Sequence, residues 1–185
     1  MKKSPSKLET QALKELEARL DKLKAELSGK GADQTHNIEV EVEKSQARFK
    51  HIRKPDDEDI AQGEFFLLLN ITAIGVPVYI PISIASGKKP VGFIYHIEGT
   101  GEGMIDTTDI TCRGEGVTKI TLGTLLYAKI PAGKTANFRI SVHIIGGFSK
   151  EYKIVINRIN YKLDPQDARY KRYEEPINSE SVKFL

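Results

Sequence analysis

The residues whose types bear on chemistry fall into a few short groups. Asp56, Asp57, Glu58 and Asp59 are four consecutive acids, and a hard cation wants several oxygens. Calcium loops, however, place ligands at alternate positions, with a glycine at the bend and a late bidentate glutamate. Here Gly63 and Glu64 arrive without that spacing, so the acids read as a solvated turn. Gly99, Gly101 and Gly103 resemble a phosphate-cradling loop only superficially. No lysine with serine or threonine follows, and no helix pattern opens to aim amides at a phosphate. The four histidines, His36, His51, His96 and His143, show no ligand spacing, and His96 and His143 fit strand faces. Cys112 is the single cysteine; with no local nucleophile signature around it, it reads as a buried or half-buried thiol. Tyr170, Lys171, Arg172 and Tyr173 could stack on bases or sugar rings, but Glu174 and Glu175 cancel the charge beside them. These groups assign no catalytic residue, no cofactor-binding residue and no metal ligand, and the expectation is a protein that is not an enzyme.

The elements that must carry these residues are legible from periodicity. Phe65, Leu67, Leu69, Ile71 and Ala73 alternate with Phe66, Leu68, Asn70 and Thr72, which predicts a central strand with one dry face. Gly75 and Pro77 interrupt it before a short strand at Val78 to Ile80, closed by Pro81. Upstream, Ile38, Val40 and Val42 alternate with Glu39, Glu41 and Glu43, a strand whose outward acids discourage stray edge pairing. Ala47, Phe49 and His51 suit a strand as well. Pro55 to Gly63 reads as one helical turn bridging two strands. Val91 to Glu98 reads as another strand, followed by a polar excursion through Asp106, Thr107, Thr108 and Asp109 to the turn at Arg113 to Gly116. If a ligand loop exists, the stretch 99–116 is its place. Ala136, Phe138, Ile140 and Val142, then Tyr152, Ile154, Ile156, Arg158 and Asn160, continue the period of two. Strands at even spacing joined by glycine and proline turns indicate an antiparallel β-sandwich.

The first thirty residues follow a different period. Ser6 with Glu9 fits a capping box and Gly29 a helix stop. Between them Leu13, Leu16, Leu20, Leu23 and Leu27 recur at steps of three and four, the seam of a coiled coil. A helix this short is marginal alone, so the stripe either docks on the chain's own sheet or self-associates. The polar, glycine-containing segment after it favours oligomerisation of copies of the chain through those five leucines. The expected organisation is an amphipathic helix at 1–30, a linker at 31–37, a β-sandwich domain at 38–164 and a tail or edge strand at 165–185. In an assembling protein that edge strand could complete a neighbour's sheet.

Charge and composition narrow the classes further. The chain has 185 residues, 39% of them hydrophobic, enough for one well-buried domain with an appendage. With 28 basic and 25 acidic residues interspersed, the formal charge of +3 does not argue for nucleic acid. No apolar run approaches the length that spans a bilayer. Met1 to Pro5 lacks a signal peptide's apolar segment. That leaves two placements: use without export, or a cell-surface or extracellular site reached through an upstream export segment since removed.

Phe66 to Ala73 followed by Val78 to Pro81, then Ile130 to Val142, then Tyr152 to Tyr161, together resemble the immunoglobulin-like modules of bacterial surface and secreted proteins. There a proline-glycine turn precedes a strand and a closing strand begins near a tyrosine. The resemblance covers roughly residues 64 to 162 and lacks the cysteine pair and core tryptophan of antibody domains. It implies an immunoglobulin-like sandwich, here preceded by the amphipathic helix, that serves as a structural or adhesive module of a bacterial cell surface or appendage. The alternative is a soluble carbohydrate- or peptide-binding domain that uses the 99–116 stretch.

Overall fold

In a computed structural model of the chain, the described residues are 36–53, 59–83, 90–101 and 103–185. Leu13, Leu16, Leu20, Leu23 and Leu27, with the rest of the expected helix, lie outside them, as do Asp56, Asp57 and Glu58. In chain order the strands are β1 (Ile38–Arg53), β2 (Asp59–Ala73), β3 (Val78–Pro81), β4 (Phe93–Gly99), β5 (Gly103–Arg113) and β6 (Thr118–Leu122). They continue with β7 (Leu125–Ile130), β8 (Thr135–Gly146), β9 (Glu151–Tyr161), β10 (Lys171–Tyr173), β11 (Ile177–Asn178) and β12 (Val182–Lys183).

The described residues are all-β, and every named strand pair is antiparallel. One sheet has the order β1-β2-β8-β5, a second β3-β7-β6, and a third is built on β9, flanked by β4 and by the three short tail strands. Period-two alternation decides the layers. Phe65, Leu67, Leu69, Ile71 and Ala73 of β2 are all buried, as are Ala136, Phe138, Ile140, Val142 and Ile144 of β8. They face β4 and β9, and the Phe93 and Phe138 rings meet across the layers with centroids 5.3 Å apart. The core is thus sandwich-like, with Tyr152, Ile154, Ile156, Ile159 and Tyr161 of β9 on the other side.

Several expectations change. Asp59 to Gly63 belong to β2, so the described half of the expected helical turn is strand. The polar excursion at Asp106 to Asp109 is part of β5, paired with β8 along its length. Thr108, Ile110 and Cys112 point inward, and threonine at alternate positions serves a strand well. The tail pairs with its own chain: Lys171 opposite Tyr161, Ile177 opposite Ile156 and Val182 opposite Tyr152 make an interrupted strand along β9. Phe184 then enters the core. His36 and Asn37, the end of the expected linker, are tied down, the Asn37 amide donating to the Tyr161 hydroxyl at 3.2 Å. Strict alternation in β9 fails at Asn157, where a register shift against β4 brings Ile159 and Tyr161 inward.

The glycines at 99–103 have a packing explanation. A Cβ on Gly99 would stand 2.1 Å from the Glu151 carbonyl oxygen, and the Tyr152 ring crowds Gly103 and Gly146. The chain passes there from the β9 sheet to the β8 sheet, and only a residue without a side chain allows that approach.

Candidate interaction surface

The surface of interest begins with a change of parity inside β1. Its apolar residues fall on even numbers at Ile38, Val40 and Val42, then on odd numbers at Ala47 and Phe49. The strand accommodates this with a bulge: Val42 stands opposite Leu69 and Lys44 opposite Leu68, which leaves Glu43 extra. Before the bulge Glu39 and Glu41 face outward; after it Lys44, Gln46, Arg48 and Lys50 do. One face of β1 therefore has an acidic half and a basic half. The inner face fades at the bulge, since Ile38 is buried while Val42 is 44% exposed.

Neighbouring strands complete a cationic recess beside the basic half. Lys44, Leu68 and Arg139 lie in one cross-strand row, Gln46, Phe66 and Ser141 in the next, and Arg48, Glu64 and His143 in the third. Lys44, Gln46, Arg48, Glu64, Phe66 and Arg139 line a hollow of about 190 Å³, room for one side chain or one sugar ring. The Arg139 guanidinium lies 4.8 Å from the Phe66 ring centroid, a cation–π contact that holds it over the floor. Three cations thus face one carboxylate. Among the described residues, the side chains of Lys44, Arg48 and Arg139 form no ion pair and no hydrogen bond.

At the start of β1 the sign reverses. His36, Ile38, Glu39, Val40, Ile74, Tyr173 and Glu175 surround an open hollow of about 480 Å³. The Tyr173 hydroxyl donates to Glu175 at 2.8 Å. Burial, then that bond and the charges of Glu175 and Glu39, push the phenol up to about 12. His36 packs its ring 5.2 Å from that of Tyr173.

A third hollow, of about 400 Å³, lies beside Gly99 and Thr100. Its polar groups are engaged with one another: Lys153 pairs with Glu98 at 3.2 Å, Ser181 donates to Glu151, and Thr100 accepts from the Glu151 amide. The outer face of β1 differs: Glu43 accepts from the Asn137 side-chain amide at 2.8 Å, while the Lys44 and Arg48 side chains have no ion pair or hydrogen bond among the described residues.

The remaining singled-out residues have structural settings. Cys112 is buried on β5, and burial pushes its thiol up to about 11 against a smaller opposing pull from Lys119. His96 hydrogen-bonds Asn157 at 2.9 Å, and His143 lies on the outer face of β8. Tyr170 bonds Tyr127 at 3.0 Å under the Lys162 ammonium, and Tyr173 is buried, so neither ring is splayed out for a base. Among the described residues, no three or more His, Cys, Asp or Glu side chains gather as a metal would require. No described helix is long and apolar enough to cross a membrane.

Fold and surface together define an all-β module of antiparallel sheets with a charge-divided outer face. Comparison with known proteins gives no matching family model, no matching curated protein and no matching solved structure.

Proposed function

We propose that the chain is a non-enzymatic structural or adhesive module, an immunoglobulin-like sandwich that acts by contact and holds an acidic segment of a protein partner in the Lys44–Arg48–Arg139 recess. The observation that carries this is the set of three cations around the Phe66 floor whose side chains have no ion pair among the described residues. Cations on a strand face usually meet only solvent. Here they converge on a concavity with an aromatic base, where a carboxylate gains from charge and its aliphatic stem from the ring. Self-association through Leu13, Leu16, Leu20, Leu23 and Leu27 belongs to the same proposal, as does placement on a bacterial cell surface or appendage. Both rest on the sequence pattern.

Calorimetric titration with a glutamate-rich peptide tests the recess. Binding is expected to weaken roughly tenfold between about 0.05 and 0.3 M salt and to vanish in a Lys44→Ala, Arg48→Ala, Arg139→Ala variant that keeps its fold. No heat at millimolar peptide, or equal binding by the variant, would refute it. A second reading, a soluble domain binding carbohydrate or peptide at 99–116, draws on the polar hollow beside Gly99 and Thr100. A neutral glycan bound on an array and lost on Glu151→Ala would favour that reading instead.

A further inference from the structure

We infer that the acidic partner is a second copy of this chain, joined antiparallel through β1 across a two-fold axis so that two four-stranded sheets become one. The inference rests on the reading of the recess as a seat for an acidic segment, and names that segment as Glu39 to Glu41 of the other copy.

Among the described residues β1 pairs with β2 alone, so its other edge belongs to no ladder. The tail meets β1 at Ser45, whose hydroxyl accepts from the Glu180 amide, and at Phe49, whose ring meets Phe184. An edge of sixteen residues that no described strand pairs is a template for another strand. Its charges decide which strand. Parallel pairing in register would set glutamate beside glutamate. Antiparallel self-pairing about an axis through Ser45, with Glu43 left extra as it is against β2, sets Glu39 opposite Lys50, Glu41 opposite Arg48 and Lys44 opposite Gln46. By symmetry each pair occurs twice. The inner face agrees, since the same register sets Val40 opposite Phe49 and the exposed Val42 opposite Ala47.

This match depends on the bulge. The acids carry odd numbers and the bases even ones, and without an extra residue at Glu43 they would point to opposite faces. With it, acid and base share the outer face and Phe49 stays inside. This register gives more opposite-charge pairs than its neighbours and no like-charge pair, whereas the adjacent ones set Lys44 against Lys44 or against Arg48. Arg48, which lines the recess, then receives Glu41 of the second copy.

The experiment uses full chains carrying Cys112→Ala. One chain adds Glu41→Cys and another adds Arg48→Cys. Directly opposed residues of an antiparallel pair lie about 4.5 to 5.5 Å apart at Cα, within disulfide reach. Mild oxidation of the mixture is expected to give the mixed disulfide dimer at least about tenfold above either chain oxidised alone, because position 41 faces position 48 and not itself. No mixed dimer, or equal yields from the mixture and the single chains as association elsewhere would give, overturns the inference. Charge reversal supplies a second measurement. Glu41→Arg and Arg48→Glu should each weaken self-pairing by roughly tenfold or more, and mixing the two variants should restore it. Failure of the mixture to recover overturns the proposal. Should the glutamate-rich peptide bind while no crosslink forms, self-pairing falls and the recess stands; should neither occur, both fall.

Discussion

Phe184 lies one residue from the end of the chain, yet its side chain is fully buried. Its ring packs against Tyr152 at 4.7 Å and Phe49 at 5.5 Å between centroids. Two backbone hydrogen bonds hold it, Phe184 N to Lys150 O at 2.8 Å and Ser149 N to Phe184 O at 2.7 Å. Replacing a buried phenylalanine with alanine costs about 3 to 5 kcal/mol. The lower end applies here because β12 pairs with β9 over only two residues and can lift away, which caps the loss at the cost of undocking it. A loss of about 3 kcal/mol should lower Tm by roughly 6 to 12 °C in a chain of this size. The same ring fills the space over Gly63, where a Cβ would stand 2.6 Å from Cε1 and Cζ of Phe184. Gly63→Ala alone should therefore destabilise, whereas in the Phe184→Ala background its methyl meets only the edge of the Phe65 ring, at 3.0 Å, and should cost much less. Urea denaturation of the wild type, both single variants and the double variant measures the coupling, expected at about 2 kcal/mol. Additivity within about 0.5 kcal/mol, or a Phe184→Ala chain as stable as wild type, would show that the tail does not close the core.

Two other predictions concern buried polar groups. With its pKa near 11, against an ordinary value of 9.0, Cys112 should be alkylated by iodoacetamide at pH 8 about a hundredfold more slowly than in the urea-unfolded chain. The thiolate is disfavoured by folding, so this group's contribution to stability is full below pH 9, falls as pH rises through 11, and is absent from Cys112→Ala; equal labelling rates would contradict the burial. Tyr95 and Thr108 share a buried hydroxyl–hydroxyl hydrogen bond between β4 and β5. Thr108→Val leaves the phenol unpaired and should cost about 1 to 3 kcal/mol, and adding Tyr95→Phe should recover most of it by thermal melts; no recovery would mean the bond does not tie the two layers.

Much of the fold was legible because single-face burial writes itself as alternation. Phe65 to Ala73 and Ala136 to Val142 were readable for that reason, and their neighbours Pro131 to Lys134 form the expected turn, with Gly133 at φ 71°. What escaped depends on partners far along the chain. β5 looked like an excursion because Asp106 and Asp109 outweighed the inward row of Thr108, Ile110 and Cys112. The glycines at 99–103 answer to the Glu151 backbone and the Tyr152 ring, contacts that local pattern cannot show. The β6–β7 hairpin did carry a local signal, Gly123-Thr124 between leucines, with Gly123 at φ 61°. The tail was obscured by Glu174, Glu175 and Pro176, which break one long strand into pieces. The recess escaped because its cations come from β1 and β8 with Phe66 of β2 between them.

The parity change at Glu43 links these observations. Apolar residues on even numbers before it and odd numbers after it are incompatible with one unbroken strand that has a single dry face. Either Phe49 faces water or one residue is extruded. Extrusion of Glu43 places Phe49 where it meets Phe184, and so allows the end of the chain to seal the core. It also carries Lys44 and Arg48 to the face on which Glu39 and Glu41 already stand. Core closure and the charge-divided surface are thus two results of one inserted residue. Removing Glu43 forces a choice between them: a strand that keeps Phe49 inside must turn Ile38 and Val40 out, and one that keeps those two inside gives up both the seal and the recess.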